Sequence, residues 1–187
     1  MHDEKKAVFL DRDGVIIKDV DHITKEEDAA LIPKAAEAIA LLNKKYKVII
    51  ITNQAAVGRG MCSEEQAMKV HLKVISLLEE KGARIDATYM CFHHAEKGVG
   101  KYKTECDCRK PKPGMLLQAA KEHNLDLTKS FMVGDKKADI KAGLSAGVKT
   151  ILVLTGYGGK DNTAEAVPDY TAEDLYEAAE IILGDKK

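Results

Sequence analysis

Short apolar runs rich in β-branched residues alternate along the chain with longer stretches whose apolar positions recur every three or four residues. AVFLD (7–11), KVIIITN (47–53), RIDATYMCF (84–92), SFMVGD (130–135) and VKTILVLTG (148–156) read as strands. PKAAEAIALLNKKY (33–46), SEEQAMKVHLKVISLLEEKG (63–82), GMLLQAAKEHN (114–124), KKADIKAGLSAG (136–147) and TAEDLYEAAEIILG (171–184) read as helices. Pro33 suits a first helical turn, and Ser63 with Gln66 forms a capping box. Most of the strands have few polar positions, so they are buried on both faces. Buried strands alternating with helices predict an α/β fold, a parallel sheet with helices on both faces. The longest stretch without periodicity is 93–113. It is too long for a passive connection and needs something to hold it.

Composition narrows the function classes. The chain has 187 residues, enough for a single domain over 1–187 with a sizeable core, and 45% of them are hydrophobic. The net charge of −1 gives no bulk attraction to nucleic acid or to an anionic membrane. No apolar run approaches ~18–20 residues, and the first residues lack a cationic segment followed by an apolar one. The expectation is a cytoplasmic monomer with no nucleic-acid and no membrane partner. Four cysteines in such a chain point to a metal site or reactive thiols rather than to a disulfide framework.

In open α/β sheets ligands bind beyond the carboxyl ends of the strands. Collected there are Asp11-Arg12-Asp13-Gly14, Thr52-Asn53-Gln54 and Gly134-Asp135, with Arg109 and Lys110 supplied by the long loop. Taken singly, each has a plain reading as a turn, a helix cap or a solvated basic pair. Together they supply what phosphoryl transfer needs. Asp11 can attack phosphorus, and Asp13 can exchange a proton with the leaving oxygen and with water. Asp11, Asp135 and a backbone carbonyl can hold Mg²⁺. Thr52 and Lys110 can bind the phosphoryl oxygens.

FLDRDGVI, IITNQ, RKPKPG and MVGDKKAD resemble, in order and spacing, the four motifs of the haloacid dehalogenase superfamily of aspartyl-phosphate phosphatases. The resemblance covers nearly the whole chain. It implies a Rossmann-like sheet, with Asp11 as nucleophile, Asp13 as acid and base, and Thr52 and Lys110 at the phosphoryl group. It also implies Mg²⁺ on the Asp11 carboxylate, the Asp13 carbonyl and Asp135.

Cys91, His93, Cys106 and Cys108 form C-x-H-x12-C-x-C. Three thiolates and an imidazole make a closed tetrahedral Zn²⁺ site of the structural kind, a zinc staple over 91–108. His94 is an alternative ligand. His93 is preferred because its spacing from Cys91 mirrors that of Cys106 and Cys108. Unligated thiols or a disulfide are the other reading of the same residues. A staple running straight into CRKPKPGMLL is similar to the heptose-bisphosphate and histidinol-phosphate phosphatases, which lack a large cap domain. That likeness implies a phosphorylated sugar or other small metabolite as partner. It implies Arg109 in substrate recognition, and Arg12, Asp21, His22, Ile23, Thr24, Asn53, Gln54, Ala55 and Lys136 around the substrate. Heptose-bisphosphate members usually carry an Asp-His-Gly-Tyr-like run where this chain has Asp21-His22-Ile23-Thr24. A zinc-stabilised binding module without activity is the reading from another class. The near-neutral charge, three Phe, no Trp and the intact acidic motifs weigh against it.

Overall fold

A computed structural model of the protein describes residues 5–20 and 22–184. Its strands are β1 (Ala7–Leu10), β2 (Lys47–Asn53), β3 (Ala87–Cys91), β4 (Phe131–Gly134), β5 (Lys149–Val153) and β6 (Tyr170–Ala172). Its α-helices are α1 (Ala35–Leu42), α2 (Ala55–Gly58), α3 (Glu64–Glu79), α4 (Gly114–His123), α5 (Lys137–Ala146) and α6 (Leu175–Leu183). The strands form one sheet in the order β3-β2-β1-β4-β5-β6, with every pairing parallel.

Alternation along each strand sends its side chains to two separate cores. Val8, Leu10, Val48, Ile50, Val133 and Ile151 meet apolar faces of α1, α3 and α6. Ala7, Phe9, Ile49, Ile51 and Met132 meet α4 and α5 on the other side. This explains the unbroken apolar strands: both faces are covered. Truncating a residue such as Ile50 to Ala removes contacts in a closed core and costs about 2–5 kcal/mol. Ser63 caps α3 as its sequence predicts, accepting from the Gln66 amide at 3.1 Å.

Two boundaries differ from expectation. Pro33 precedes α1 rather than opening it, because Lys34 takes a left-handed conformation at the N-cap. The short edge strand β6 carries no apolar run and is defined only by its pairing with β5.

The chain runs from β1 outward through β2 to β3, then returns to the other side of β1 and continues through β4 to β6. The switch point therefore lies at the carboxyl ends of β1, β2 and β4, where a ligand crevice forms. Among the described residues the connections hold no inserted cap domain, and no helix is long and apolar enough to cross a membrane.

Candidate active site and thiol cluster

Asp11 follows the last residue of β1, and its amide donates to Val133 O of β4 at 3.0 Å. This fixes its backbone between two neighbouring strands. Asp135 follows β4, and Asp139 lies one helical turn further, in the first turn of α5. Each of these three carboxylates offers an oxygen within 4.8 Å of the others. Lys110 reaches into the group from the long loop. Its Nζ lies 3.0 Å from Asp11 Oδ1, 2.7 Å from Asp139 Oδ1 and 2.7 Å from Ile51 O. Lys110 is only 3% exposed.

The electrostatics of this cluster are unbalanced. Burial, and then the charges of Asp11 and Asp139, push the Asp135 carboxyl up to about 8. Asp139 rises to about 6 through burial, which Lys110 offsets only in part. Burial opposes the charge on Lys110, but Asp11 and Asp139 outweigh it and hold the ammonium above its usual range. Asp135 Oδ2 accepts from the Tyr157 amide at 2.8 Å, while Oδ1 is buried with no partner among the described residues.

A built-on Cβ at Gly14 or Gly156 would stand 2.3 Å from Asp135 Oδ2. Both glycines have positive φ, so the backbone turns close around this carboxylate in a way other residues rarely allow. Hard oxygen donors, an orphaned buried oxygen and negative charge that Lys110 offsets only in part together fit a small divalent cation. Asp139, absent from the sequence-derived ligand set, has both oxygens engaged, with Lys110 and with the Lys136 amide at 3.0 Å. Its signal in the sequence was its place one turn after a strand-end aspartate.

Asp13 lies beside this group. Gln54 Nε2 donates to Asp13 Oδ2 at 2.7 Å and to Thr52 Oγ1 at 2.9 Å. Thr52 is wholly buried at the end of β2. Arg12 does not take up the place expected around a substrate, whereas Asn53 lines the cleft in front of these groups with its amide already engaged. Arg12 is 1% exposed, because its guanidinium finds its acceptors inward, on Asp13 and Gln54. Asn53 spends its amide on the backbone of Lys110, donating to Lys110 O at 3.0 Å and accepting from Lys110 N at 3.2 Å. That clamp holds the loop against β2.

In front of these groups lies a cleft of about 720 Å³. Asp13, His22, Ile23, Asn53, Gln54, Ala55, Arg109 and Lys136 line it, whereas Thr24 does not. Asp21 falls outside the described residues. Lys136 Nζ crosses the cleft mouth to Asp19 at 3.1 Å and stands over the Tyr157 ring. Arg59, a lining residue, went unread in the sequence, and His94, read there only as an alternative zinc ligand, lines the cleft as well. Arg59 follows the one-turn α2, and its Nη1 lies 3.0 Å from His22 Nε2. Its buried Nε has no partner among the described residues. Burial and then the charges of Arg109 and Arg59 hold the His94 imidazole below its usual range. Arg59 and Arg109 make this part of the wall positive, with Glu96 its acidic neighbour beside His94.

The second cluster lies at the end of β3. The register pairs Asn53 of β2 with Cys91 of β3, and the Gln54 amide donates to Cys91 O at 2.8 Å. Cys108 Sγ is 3.0 Å from both Cys91 and Cys106, Cys91 is 3.5 Å from Cys106, and His93 Nδ1 is 3.5 Å from Cys108. All four cysteines are free. These gaps exceed a disulfide bond of about 2.05 Å and come near the spacing of thiolates at roughly 2.3 Å from one shared ion. Burial pushes up the Cys91 and Cys108 thiols. It also opposes ionisation of Cys106, but hydrogen bonds from Cys108 and the Arg109 backbone outweigh it and bring Cys106 down to about 7. The donor set fits a thiophilic tetrahedral metal. His93 belongs to it, while His94 turns to the cleft. The His93 carbonyl accepts from Arg109 Nη1 at 3.0 Å, so the thiol cluster and the cleft wall share a strut.

Comparison with known proteins agrees with this geometry. A family model described as "HAD-hyrolase-like" matches residues 107–178. A curated relative from Vibrio cholerae, named D-glycero-beta-D-manno-heptose-1,7-bisphosphate 7-phosphatase, is 47% identical over 154 residues, spanning 81% of this chain and 83% of its own. Its namesake from Haemophilus influenzae is 40% identical over 184 residues, spanning 97% and 99%. The crystal structure of D,D-heptose 1,7-bisphosphate phosphatase from B. bronchiseptica, complexed with magnesium and phosphate, matches with a TM-score of 0.83 and 32% identity, covering 97% of this chain and 99% of that one. With aspartates placed at the switch point and similarity running the length of the chain, the protein belongs to the haloacid dehalogenase-like hydrolases, within the family of heptose-bisphosphate phosphatases.

Proposed function

We propose that the protein is a Mg²⁺-dependent phosphatase that removes the 7-phosphate from D-glycero-D-manno-heptose 1,7-bisphosphate. The observation that carries this reading is the convergence of Asp11, Asp13, Thr52 and Lys110 with Asp135 at one switch point.

An Asp11 carboxylate oxygen attacks phosphorus, and the bond from phosphorus to the sugar oxygen breaks. Asp13 gives a proton to that oxygen. Asp13 then takes a proton from water as the water oxygen attacks the phosphorus of the aspartyl phosphate, which frees Asp11 and inorganic phosphate. Lys110 and the Thr52 hydroxyl hold phosphoryl oxygens, where negative charge sits in the transition state. Asp11, Asp135 and the Asp13 carbonyl would hold Mg²⁺, which when bound offsets repulsion between a carboxylate nucleophile and an anionic substrate. Cys91, His93, Cys106 and Cys108 would hold Zn²⁺ in a closed site that fixes the loop carrying Arg109 and Lys110.

The cleft wall favours a substrate with two phosphates. One phosphate occupies the aspartate centre. The other has Arg109 and Arg59 to meet it, with His22 and His94 alongside. A monophosphate such as histidinol phosphate leaves those cations unanswered.

The test is phosphate release from a panel holding both anomers of the heptose bisphosphate, histidinol phosphate and other sugar monophosphates. One heptose bisphosphate anomer is expected to exceed every monophosphate in kcat/KM by at least about ten-fold, the worth of one charge-assisted contact. A preference for a monophosphate refutes the bisphosphate reading and leaves the phosphatase chemistry standing.

A further inference from the structure

Arg12 is a cation with almost no exposure, placed between the nucleophile and the acid in sequence, and nothing in the chemistry above uses it. Its fork is spent on two acceptors. Nη2 lies 3.1 Å from both Asp13 oxygens and 2.9 Å from Gln54 Oε1, and Nε lies 3.3 Å from Asp13 Oδ1. Its Nη1 is buried with no partner among the described residues. Burial and then the Arg12 charge lower the His71 imidazole to about 4.

A guanidinium only donates, so the Gln54 atom facing it must be the carbonyl oxygen. The Gln54 NH2 is thereby forced toward the catalytic side. It donates to Asp13 Oδ2 at 2.7 Å and to Thr52 Oγ1 at 2.9 Å. The Thr52 oxygen, having accepted this bond, keeps its own O–H for another acceptor. Asp13, held by Gln54 on one side and Arg12 on the other, has its carboxylate fixed in one orientation.

We propose that Arg12 and Gln54 form a relay that sets the orientation of the Asp13 carboxylate and of the Thr52 hydroxyl, and that Gln54, although it lines the cleft, acts through these two residues rather than through a contact of its own with substrate. The inference rests on the roles given above to Asp13 and Thr52. It makes Gln54 and Arg12 positioning residues.

Leaving-group dependence separates positioning from binding. An alkyl phosphate needs a proton on its leaving oxygen, whereas p-nitrophenyl phosphate departs readily without one. Gln54→Met keeps the length of the side chain and removes both donors. With Mg²⁺ present, kcat/KM for the alkyl phosphate, which reports phosphoryl transfer to Asp11 and not the later attack of water that both substrates share, is expected to fall about ten- to hundred-fold, part of the 10²–10⁴ that general acid catalysis contributes. For p-nitrophenyl phosphate it should fall several-fold less, through Thr52 alone. Gln54→Glu keeps the shape and places a carboxylate against Asp13. It should show the same asymmetry if the methionine variant does not fold. A rise in KM with kcat unchanged would make Gln54 a substrate contact and overturn the relay. An equal loss on both substrates would also overturn it. Either result leaves the phosphatase reading intact, provided the unsubstituted protein hydrolyses both compounds. An inactive unsubstituted protein would sink that reading and the relay with it.

Discussion

The aspartate centre and the thiol cluster lie at the ends of neighbouring regions of one sheet, yet they treat their own charge in opposite ways. In the thiol cluster four donors close on one point, with three sulfurs and a ring nitrogen in mutual contact and no direction left open. In the aspartate centre three buried carboxylates face one another with Lys110 among them, and one oxygen of Asp135 has no partner. A closed set of soft donors can only hold something still. An open set of hard donors under mutual repulsion stands ready to receive charge from outside. The difference separates scaffold from chemistry without reference to any bound ion.

The largest effect expected from this contrast is on Asp11. Asp11→Asn removes the nucleophile and should lower phosphate release at least about 10⁴-fold, with the melting temperature within a few degrees of the parent. Release surviving within ten-fold of the parent would show that the open centre is not where the chemistry happens.

Cys106→Ser should behave in reverse. Loss of about 3–5 kcal/mol from an opened staple lowers the melting temperature by roughly 10 °C in a chain of this size. Metal analysis should find about one zinc per chain in the parent and less in the variant. Activity should drop only in part, through misplaced Arg109 and Lys110. A variant that loses all activity at full thermal stability would break the contrast.

The smallest effect sharpens it. Asp135 sits at about 8 in the folded protein against an ordinary 3.8, and Asp139 at about 6. Between those limits the folded, metal-free state binds protons that the unfolded state does not. Stability from these groups is therefore fully present at low pH and is lost as pH rises through the folded values. Metal-free protein should be less stable at pH 8 than at pH 6 by roughly 1–2 kcal/mol, and millimolar Mg²⁺ should flatten the difference. Denaturant melts at the two pH values, with and without Mg²⁺, measure this. A metal-free protein more stable at pH 8 would mean that the carboxylates do not repel as described.

Much of this was legible in the chain, and the reason is the parallel sheet. When every strand is buried on both faces, polar residues survive at the strand ends, so DRDG, TNQ and GD stood out against apolar runs. The thiol spacing was equally plain, because Cys91 ends β3 and His93, Cys106 and Cys108 sit in the loop that follows it. What could not be read was direction. Arg12 looked like a substrate contact because it neighbours Asp11, but its acceptors lie inward on Asp13 and Gln54. Asn53 lines the cleft, but no pattern in the chain shows that β2–β3 pairing and the path of the loop also put the Lys110 backbone within reach of its amide. Arg59 carried no periodic signal, and its place in the cleft depends on the one-turn α2. The edge strand β6 has no pattern of its own and exists through its partner β5.

The crowding of Gly14 and Gly156 around Asp135 also limits how this centre can be moved to another scaffold. A designer who grafts only the aspartates onto a host sheet brings side chains into the 2.3 Å gap that the native backbone leaves bare. The host would push Asp135 aside before any ion arrived. The portable unit is the carboxylates together with the two bare turns, and a host lacking left-handed backbone at both places is the wrong recipient however well its strands superpose.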